Sequence, residues 1–257
     1  MNHMEYVNGL FGLEGHVGIV TGASRGLGMG VAKVLTEAGA TVYNLDVIPR
    51  GDDEKIGGNM IDVQVDLLDR EATKKVIDEI AAKEGHLDFL INNAGITFKC
   101  RAEEFPMDRY RKIQDLNLET VFEISRMCYP YLKKSEYVGR ILSISSMAAH
   151  MGFTGVVPYC MTKSGILGLT RGLAEEWKDD NILVNSIAPG WFLTKLNGGM
   201  FAENPDREKA ALAKPMLGRF GYPVEIGYMA LFLLSQASTY LTGQDFAVDG
   251  GALSHGF

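Results

Sequence analysis

The stretch Thr21-Gly22-Ala23-Ser24-Arg25-Gly26-Leu27-Gly28 decides the fold, because its three glycines separate an apolar run from a helical pattern. Glycines in such a turn allow backbone amides and the N-terminus of the following helix to approach a pyrophosphate. The spacing is G-x-x-x-G-x-G, which differs from the dinucleotide fingerprint G-x-G-x-x-G, so a tight turn without a ligand stays open as the alternative. The position between a strand and a helix favours phosphate binding.

Outward from this turn, short β-rich runs alternate with helical stretches. Alternation of this kind predicts βαβ units, with a parallel sheet covered by helices on both faces. The predicted strands lie at 17–21, 41–45, 60–65, 89–92, 140–145, 183–188 and 245–248, and the predicted helices at 26–38, 70–84, 106–133, 159–178 and 223–235. We therefore expect an α/β fold with a doubly wound sheet of seven strands.

The composition is that of a folded globular protein, with 257 residues, of which 46% are hydrophobic and 22% charged. We find no linker-like stretch and predict a single domain over 1–257. The net charge is −7 and no cluster of Lys and Arg occurs, so nucleic acid is not expected as a partner.

Neither a membrane anchor nor a metal site is expected. The most apolar run, 229–234, is far shorter than the roughly 20 residues that a membrane-spanning helix needs, and the N-terminus lacks a signal-peptide core. We therefore expect a cytoplasmic protein. Three cysteines without CxxC spacing and five scattered histidines indicate neither a disulfide framework nor a metal site.

Two segments stay open at this point. Residues 195–217 interrupt the regular pattern after a strand end, where ligands bind in open α/β sheets, and we interpret them as a substrate lid. The alternative is an ordinary surface insertion. For residues 1–12 no motif decides between an ordered arm and disorder.

An acidic residue at the end of the second predicted strand bears on the cofactor. Asp46 lies close to where a carboxylate accepts hydrogen bonds from the adenosine ribose hydroxyls. It would repel the 2′-phosphate of NADP, whereas Arg25 could pair with that phosphate. We expect NAD rather than NADP. Asp66, after the third strand, is predicted to accept from the adenine amino group or, alternatively, to cap its strand end.

A tyrosine and a lysine four residues apart suggest proton transfer. A helix over 159–178 places Tyr159 and Lys163 on one face, where an ammonium could bring the phenol pKa towards neutrality. By itself this pair is weak evidence, because many exposed helices contain a tyrosine and a lysine at this spacing as a solvated pair. Ser146, after the fifth predicted strand, could donate to a substrate oxygen, but Ser143 and Ser145 are rivals that spacing alone does not exclude.

Six motifs occur in a fixed order: the glycine turn at 21–28, Asn92-Asn93-Ala94-Gly95, Ser146, Tyr159-x-x-x-Lys163, Pro189-Gly190 and Val248-Asp249-Gly250-Gly251. Together they resemble the short-chain dehydrogenases/reductases from Leu13 to Gly251. The resemblance implies a single Rossmann-type domain, and the glycine spacing is that family's usual variant. Within the family, the chain resembles bacterial sugar-acid and polyol dehydrogenases such as gluconate 5-dehydrogenase and 2-deoxygluconate 3-dehydrogenase.

The resemblance also assigns catalytic roles. Tyr159 would be the acid/base, and Ser146 would orient and polarise the substrate oxygen. Lys163 would bind the nicotinamide ribose and lower the pKa of the tyrosine. Asn117 would hold a water molecule that links the lysine to solvent.

Further residues are expected at the cofactor. By resemblance, Asn93 would lie near the adenosine ribose, and Thr194 would fix the nicotinamide carboxamide, with backbone groups of Phe192 nearby. Asn92 is interpreted as an amide that locks two strands together. The predicted cofactor-binding set is Gly22, Ser24, Arg25, Gly26, Leu27, Gly28, Asp46, Asp66, Leu67, Asn93, Ala94, Gly95, Tyr159, Lys163, Pro189, Gly190, Phe192 and Thr194.

These features predict an NAD-dependent oxidoreductase that interconverts a secondary alcohol and a ketone on a small polar substrate. The alternatives are an NADPH-linked 3-oxoacyl-carrier-protein reductase, which Asp46 disfavours, and an NAD-binding sensor without turnover, which the complete set of catalytic motifs disfavours. A homotetramer is expected from the resemblance. Gly165, Gly168 and Gly172 would permit close approach of a second helix, or equally packing on the chain's own sheet.

Overall fold

Seven parallel strands form one sheet in the computed structural model, which describes residues 2–51, 56–194 and 205–255. The strands are β1 (Val17–Thr21), β2 (Thr41–Asp46), β3 (Asn59–Gln64), β4 (Phe89–Asn92), β5 (Gly139–Ile144), β6 (Ile182–Pro189) and β7 (Asp245–Val248). Their order across the sheet is β3-β2-β1-β4-β5-β6-β7. The predicted fold class, a Rossmann-type doubly wound sheet, is confirmed.

Helices cover both faces of this sheet. They are α1 (His3–Phe11), α2 (Gly26–Glu37), α3 (Arg70–Glu84), α4 (Met107–Gln114), α5 (Thr120–Leu132), α6 (Val157–Glu176), α7 (Pro205–Leu212) and α8 (Pro223–Leu234). Buried side chains of α3, α5 and α6 form one core with the sheet, and those of α2 and α8 form the other. Apolar side chains on both faces explain why most strands are continuous apolar runs.

The predicted helix 106–133 is divided in the structure. A π-helical segment, Asp115–Glu119, separates α4 from α5 and contains a backbone hydrogen bond from Thr120 N to the carbonyl of Asp115. An apolar pattern averages over such an inserted residue, so periodicity predicted one uninterrupted helix.

The N-terminal residues include an ordered helix that the sequence analysis left open. Asn2 caps α1 because its side chain accepts from the backbone N–H of Glu5, while the Glu5 carboxylate accepts from the backbone N–H of Asn2. This capping box is a sequence signal that could have predicted the helix.

Two expectations concern larger parts of the chain. Residues 195–204 of the predicted lid lie outside the described residues, whereas 205–217 include α7 and the chain that follows it. The single domain over 1–257 stays a prediction. No helix in the described part of the chain has the length and apolarity that a membrane crossing requires.

Candidate active site

The strand order reverses between β1 and β4, because the chain continues from β1 to β2 on one side and later returns to β4 on the other. Ligands of open α/β sheets bind in this position, beyond the carboxyl ends of the strands. One hydroxyl ties the two strand ends together: Thr21 Oγ1 accepts from the backbone N–H of Asn93 at 3.0 Å and of Ala94 at 3.1 Å. The Asn93 amide adds bonds to the carbonyls of Thr21 and Gly22.

The glycine turn has the geometry that a pyrophosphate needs. Gly22 and Gly26 adopt positive φ angles of 68° and 61°. A Cβ on Gly28 would lie 2.4 Å from Asn93 Nδ2 and 2.5 Å from the carbonyl oxygen of Gly22. Helix α2 begins at Gly26, and the N-cap residue Arg25 provides no side-chain cap. Its first amides therefore fit an anion.

The segment after β6 lies against the glycine turn. The backbone N–H of Gly190 donates to the carbonyl of Val248 at 2.9 Å, which continues the sheet beyond Pro189. The side chain of Phe192 is buried, and the methyl group of Thr194 lies 3.9 Å from the position a Cβ would take on Gly26. The structure thus brings this segment and the glycine turn together.

Asp46 lies at the end of β2, beside the glycine turn. Its Oδ2 accepts from the backbone N–H of Ser24 at 3.1 Å, and its Oδ1 accepts from that of Ile48 at 3.2 Å. Ser24 Oγ donates to the carbonyl of Ile48 at 2.8 Å. The carboxylate is thereby held at the end of β2, next to the glycine turn.

Asn44 of β2, which the sequence analysis missed, supports this arrangement through its side-chain hydrogen bonds. Asn44 is buried in β2, and its Oδ1 accepts from the backbone N–H of Ala23 at 2.8 Å. Its Nδ2 donates to Ser24 Oγ and to Asp62 on β3, whose carboxylate also pairs with Arg50. The available signal was a lone amide inside an apolar strand, since a buried polar group requires partners.

Asp66 and Leu67 follow β3 in the short connection to α3. Asp66 is exposed, and its Oδ1 accepts from the backbone N–H of Leu68 at 3.0 Å. This is the capping contact that was the alternative to adenine binding. The contact leaves the other carboxylate oxygen available, so the adenine role stays a prediction. Leu67 is buried in the core beside α3 and α5.

Geometry separates Ser146 from its rivals. Ser143 and Ser145 are buried, and they bond to Asn92 and to the carbonyl of Ile187, respectively. Ser146 is partly exposed, its Oγ accepts from the backbone N–H of Ala148 at 3.0 Å, and hydrogen bonding by its hydroxyl lowers the pKa of Tyr159 against the larger effect of burial. The expectation that Asn92 locks neighbouring elements agrees with its bonds to Ser125 and Ser143.

Burial dominates the electrostatics of the two proton-transfer candidates. It raises the pKa of Tyr159 above its ordinary value, and the hydrogen bond with Ser146 opposes this shift. It also lowers the pKa of Lys163 to about 8. Lys163 Nζ donates to the carbonyl of Ile144 at 2.6 Å and lies 5.6 Å from the centroid of the Tyr159 ring. The lowering of the tyrosine pKa by lysine stays a prediction.

Asn117 occupies the centre of the π-helical segment. Its side chain is fully buried and is bonded to both backbone groups of Ile96, at 2.9 Å from N and 2.8 Å from O. Nδ2 also lies 3.4 Å from Thr162 Oγ1, which donates to the carbonyl of Tyr159. Its amide thus ties the loop after Gly95 to the first turns of α6.

Two contacts join the loop before α6 to neighbouring loops. The backbone N–H of Cys100 donates to the carbonyl of Gly155 at 2.9 Å, which joins the loop after β4 to the loop before α6. The Phe153 ring makes an edge-on contact with Trp191 at 6.2 Å between centroids. Within the described ranges, no three His, Cys, Asp or Glu side chains cluster as a metal site would require.

Comparison with known proteins agrees with this geometry. A family model described as Enoyl-(Acyl carrier protein) reductase matches residues 22–253. The 2-dehydro-3-deoxy-D-gluconate 5-dehydrogenase of Dickeya dadantii is 36% identical over 248 residues, which cover 95% of this chain and 98% of that protein. The 3-oxoacyl-[acyl-carrier-protein] reductase of Thermotoga maritima is 34% identical over 247 residues, or 93% of this chain and 98% of that protein.

A solved structure extends the likeness to three dimensions. It is described as an NAD(P)-dependent gluconate 5-dehydrogenase of Beutenbergia cavernae with bound NADP. Its TM-score is 0.89 at 34% sequence identity, and the match covers 96% of this chain and 100% of that chain. The motifs, the sheet order and these matches agree: the chain belongs to the short-chain dehydrogenase/reductase family and is an NAD(P)-dependent oxidoreductase acting on CH–OH groups.

Proposed function

We propose that the chain is an NAD-dependent dehydrogenase that interconverts a secondary alcohol and a ketone on a small polar substrate such as a sugar acid or a polyol. The observation that carries this proposal is the placement of Lys163 Nζ 5.6 Å from the centroid of the Tyr159 ring, on the helix that follows the turn of Ser146. The pair lies at the edge of the sheet that also carries the glycine turn. The relatives named as gluconate-type dehydrogenases support the substrate class.

Tyr159 and Ser146 act on the same substrate oxygen. In oxidation the tyrosine oxygen takes the hydroxyl proton, while the serine hydroxyl donates to the oxygen. In reduction the phenol returns its proton to the ketone oxygen. A bound nicotinamide would supply the hydride acceptor for oxidation and the donor for reduction.

Lys163 supplies the positive charge that oxidation needs. Burial favours the neutral phenol of Tyr159, so a nearby ammonium is required to stabilise the phenolate. With a pKa of about 8, most of the lysine is charged at pH 7. In this proposal Asn117 holds the loop at Ile96 and the start of α6 in register, and its backbone carries the water contact to the lysine.

Different residues would hold successive parts of the cofactor. The glycine turn would bind the pyrophosphate, Asp46 the adenosine ribose, Lys163 the nicotinamide ribose and Thr194 the carboxamide. Asp46 favours NAD, because its carboxylate is held beside Ser24 and would face a 2′-phosphate with like charge in a partly desolvated site. The Beutenbergia cavernae structure is described with bound NADP, so the preference for NAD over NADP has to be measured.

Cofactor choice is tested by titrating NADH and NADPH into the wild type and Asp46→Ser, with nicotinamide fluorescence as the readout. We expect the wild type to bind NADH at least tenfold more tightly than NADPH, and the variant to lose most of that preference. Tighter binding of NADPH by the wild type would contradict the assignment.

The reaction is tested on a panel of sugar acids, polyols and 3-oxoacyl thioesters, with both cofactors and in both directions. Tyr159→Phe should reduce kcat by about 10³-fold with cofactor affinity unchanged, which is within the range of general acid–base catalysis. The control is Tyr240→Phe, because Tyr240 is fully exposed. A Tyr159→Phe variant with near-wild-type turnover would overturn the mechanism.

The panel also separates the alternatives. Turnover of oxoacyl thioesters with NADPH, and of no sugar acid or polyol, would favour the 3-oxoacyl-carrier-protein reductase, a class to which a relative at 34% identity belongs. Cofactor binding without turnover of any compound would favour a sensor.

We also propose that the chain forms a homotetramer through α5 and α6. Phe122 on α5 and Met161 on α6 are 41% and 49% exposed. A Cβ on Gly165 would contact Leu118 of the same chain, but one on Gly168 or Gly172 would meet no atom within 4 Å, so that face of α6 is open. Sedimentation equilibrium tests this, and a monomer would contradict it.

A further inference from the structure

A largely buried carboxylate lies directly behind the turn that carries Ser146. Asp245 begins β7 and is paired in register with Ser186 of β6. Its Oδ1 accepts from the hydroxyl of Ser186 at 2.6 Å and from that of Ser145 at 2.7 Å. Its Oδ2 lies 2.6 Å from Nε2 of His150, which donates to it. One carboxylate thus holds the end of β5, β6 and the turn after the proposed catalytic serine.

These contacts bracket Ser146 along the chain. Ser145 precedes it and is anchored twice: its hydroxyl donates to Asp245 at 2.7 Å, and its backbone N–H donates to the carbonyl of Ile187 at 2.8 Å. His150 ends the short 3-10 helix that Ser146 caps, and its imidazole is anchored to the same carboxylate. A segment of six residues, 145–150, is therefore fixed at both ends, and Ser146 presents its hydroxyl from the middle of it.

The side chains around Asp245 provide the donors that a charged acceptor needs. Ser145 and Ser186 are 1% and 0% exposed, and the side chains of Asp245 and His150 are 12% and 36% exposed. A carboxylate that is mostly removed from water requires several donors, and here three side chains supply them. Removing His150 leaves two donors inside the sheet but releases the far end of the turn.

We propose that Asp245 and His150 are positioning residues for Ser146. They fix the serine hydroxyl where it meets Tyr159 and the substrate oxygen, without touching the substrate themselves. The inference rests on the proposed function, in which Ser146 polarises that oxygen. Because a misplacement of about 1 Å in an active site costs on the order of 100-fold in rate, release of one end of the turn should reduce kcat about tenfold.

The test compares three variants by steady-state kinetics and cofactor titration. His150→Ala removes the anchor, and His150→Gln restores a donor to Asp245. The matched control is His86→Ala, because His86 lies 3.2 Å from buried Asp88 at the opposite edge of the sheet and its side chain is 35% exposed. We expect His150→Ala to lower kcat about tenfold, with substrate KM changed less than about threefold and cofactor Kd unchanged. His150→Gln should recover most of kcat, and the control should stay within about twofold of the wild type.

Three outcomes overturn the proposal: an unchanged kcat in His150→Ala, an equal loss in His150→Ala and His86→Ala, or no recovery in His150→Gln. Ser146→Ala, measured alongside, distinguishes this failure from that of the proposed function. If Ser146→Ala retains turnover, the proposed function fails. If it loses turnover while His150→Ala does not, only the positioning role fails.

Discussion

Replacement of Lys163 by Met should stabilise the fold at neutral pH while abolishing turnover. Burial lowers the pKa of Lys163 from 10.5 to about 8, so the charged form is penalised in the folded state. The shift corresponds to about 3 kcal/mol at a pH below 8, since one pKa unit is about 1.4 kcal/mol. Losing the bond to the carbonyl of Ile144 offsets about 1 kcal/mol of this. We expect Lys163→Met to be about 1–2 kcal/mol more stable at pH 7.

The direction of the pKa shift of Lys163 determines how the stability of the wild type changes with pH. The folded-state pKa is below that of the unfolded chain, so between about 8 and 10.5 the unfolded state binds more protons and wild-type stability rises with pH. The penalty is complete below 8 and is relieved as the pH approaches 10.5. The advantage of Lys163→Met should therefore disappear on the alkaline side, where the wild type keeps its hydrogen bond.

Urea denaturation at pH 7 and at pH 10, at one fixed protein concentration, measures the free energy of unfolding of wild type and variant and its change with pH. Lys134→Met is the control, because Lys134 is exposed and its replacement leaves no buried charge uncompensated. A difference between wild type and Lys163→Met that is the same at both pH values would refute the reasoning. A less stable variant at pH 7 would refute it as well.

Two further predictions concern the buried residues His16 and Gly28, which lie before and after β1 in the chain. Burial lowers the pKa of His16, whose ring stacks on Tyr137 at 3.8 Å, so the unfolded chain takes up its proton first and stability falls as the pH drops below 6.5. His16→Phe should lose less stability between pH 7 and pH 5 than the wild type does, and equal losses by denaturation would contradict this. Gly28→Ala places a Cβ 2.4 Å from Asn93 Nδ2, so we expect about 1–3 kcal/mol of destabilisation and at least tenfold weaker cofactor binding. Its control is Gly9→Ala, where a Cβ meets nothing within 4 Å; equal effects of both alanines on cofactor Kd would argue against the crowded turn.

The sheet could be predicted from the sequence because its strands are short apolar runs between turn residues. Three strands, β1, β4 and β7, have the predicted bounds, β2 differs by one residue at one end, and β3, β5 and β6 differ by one residue at each end. The five inner strands are covered on both faces and bury almost every residue, so apolar runs mark them directly, whereas the edge strands β3 and β7 contain no buried residue. The predicted helix ends were also close to the observed ones, because glycine and proline residues mark many of them.

The site could be predicted only in part, because some of its contacts join residues distant in sequence. The four-residue spacing of Tyr159 and Lys163 is a local property of a helix, and it was available. Asn44 gains its importance only when the parallel register sets it level with Val20 of β1, below the glycine turn. Asp245 lies 100 residues beyond Ser145, and no local pattern indicates that they meet.

The hydroxyl of Thr21 joins the ends of β1 and β4 and lies between the two halves of the proposed site. On one side lie Asp46 and the strands that would choose the cofactor; on the other lie Ser146 and the loops that would choose the substrate. Because Asn93 and Ala94 are tied to Thr21, we expect a change on one side to leave the position of the other unchanged. Cofactor preference in this protein should therefore be exchangeable by redesign around β2 alone, with the selection among alcohols carried over intact.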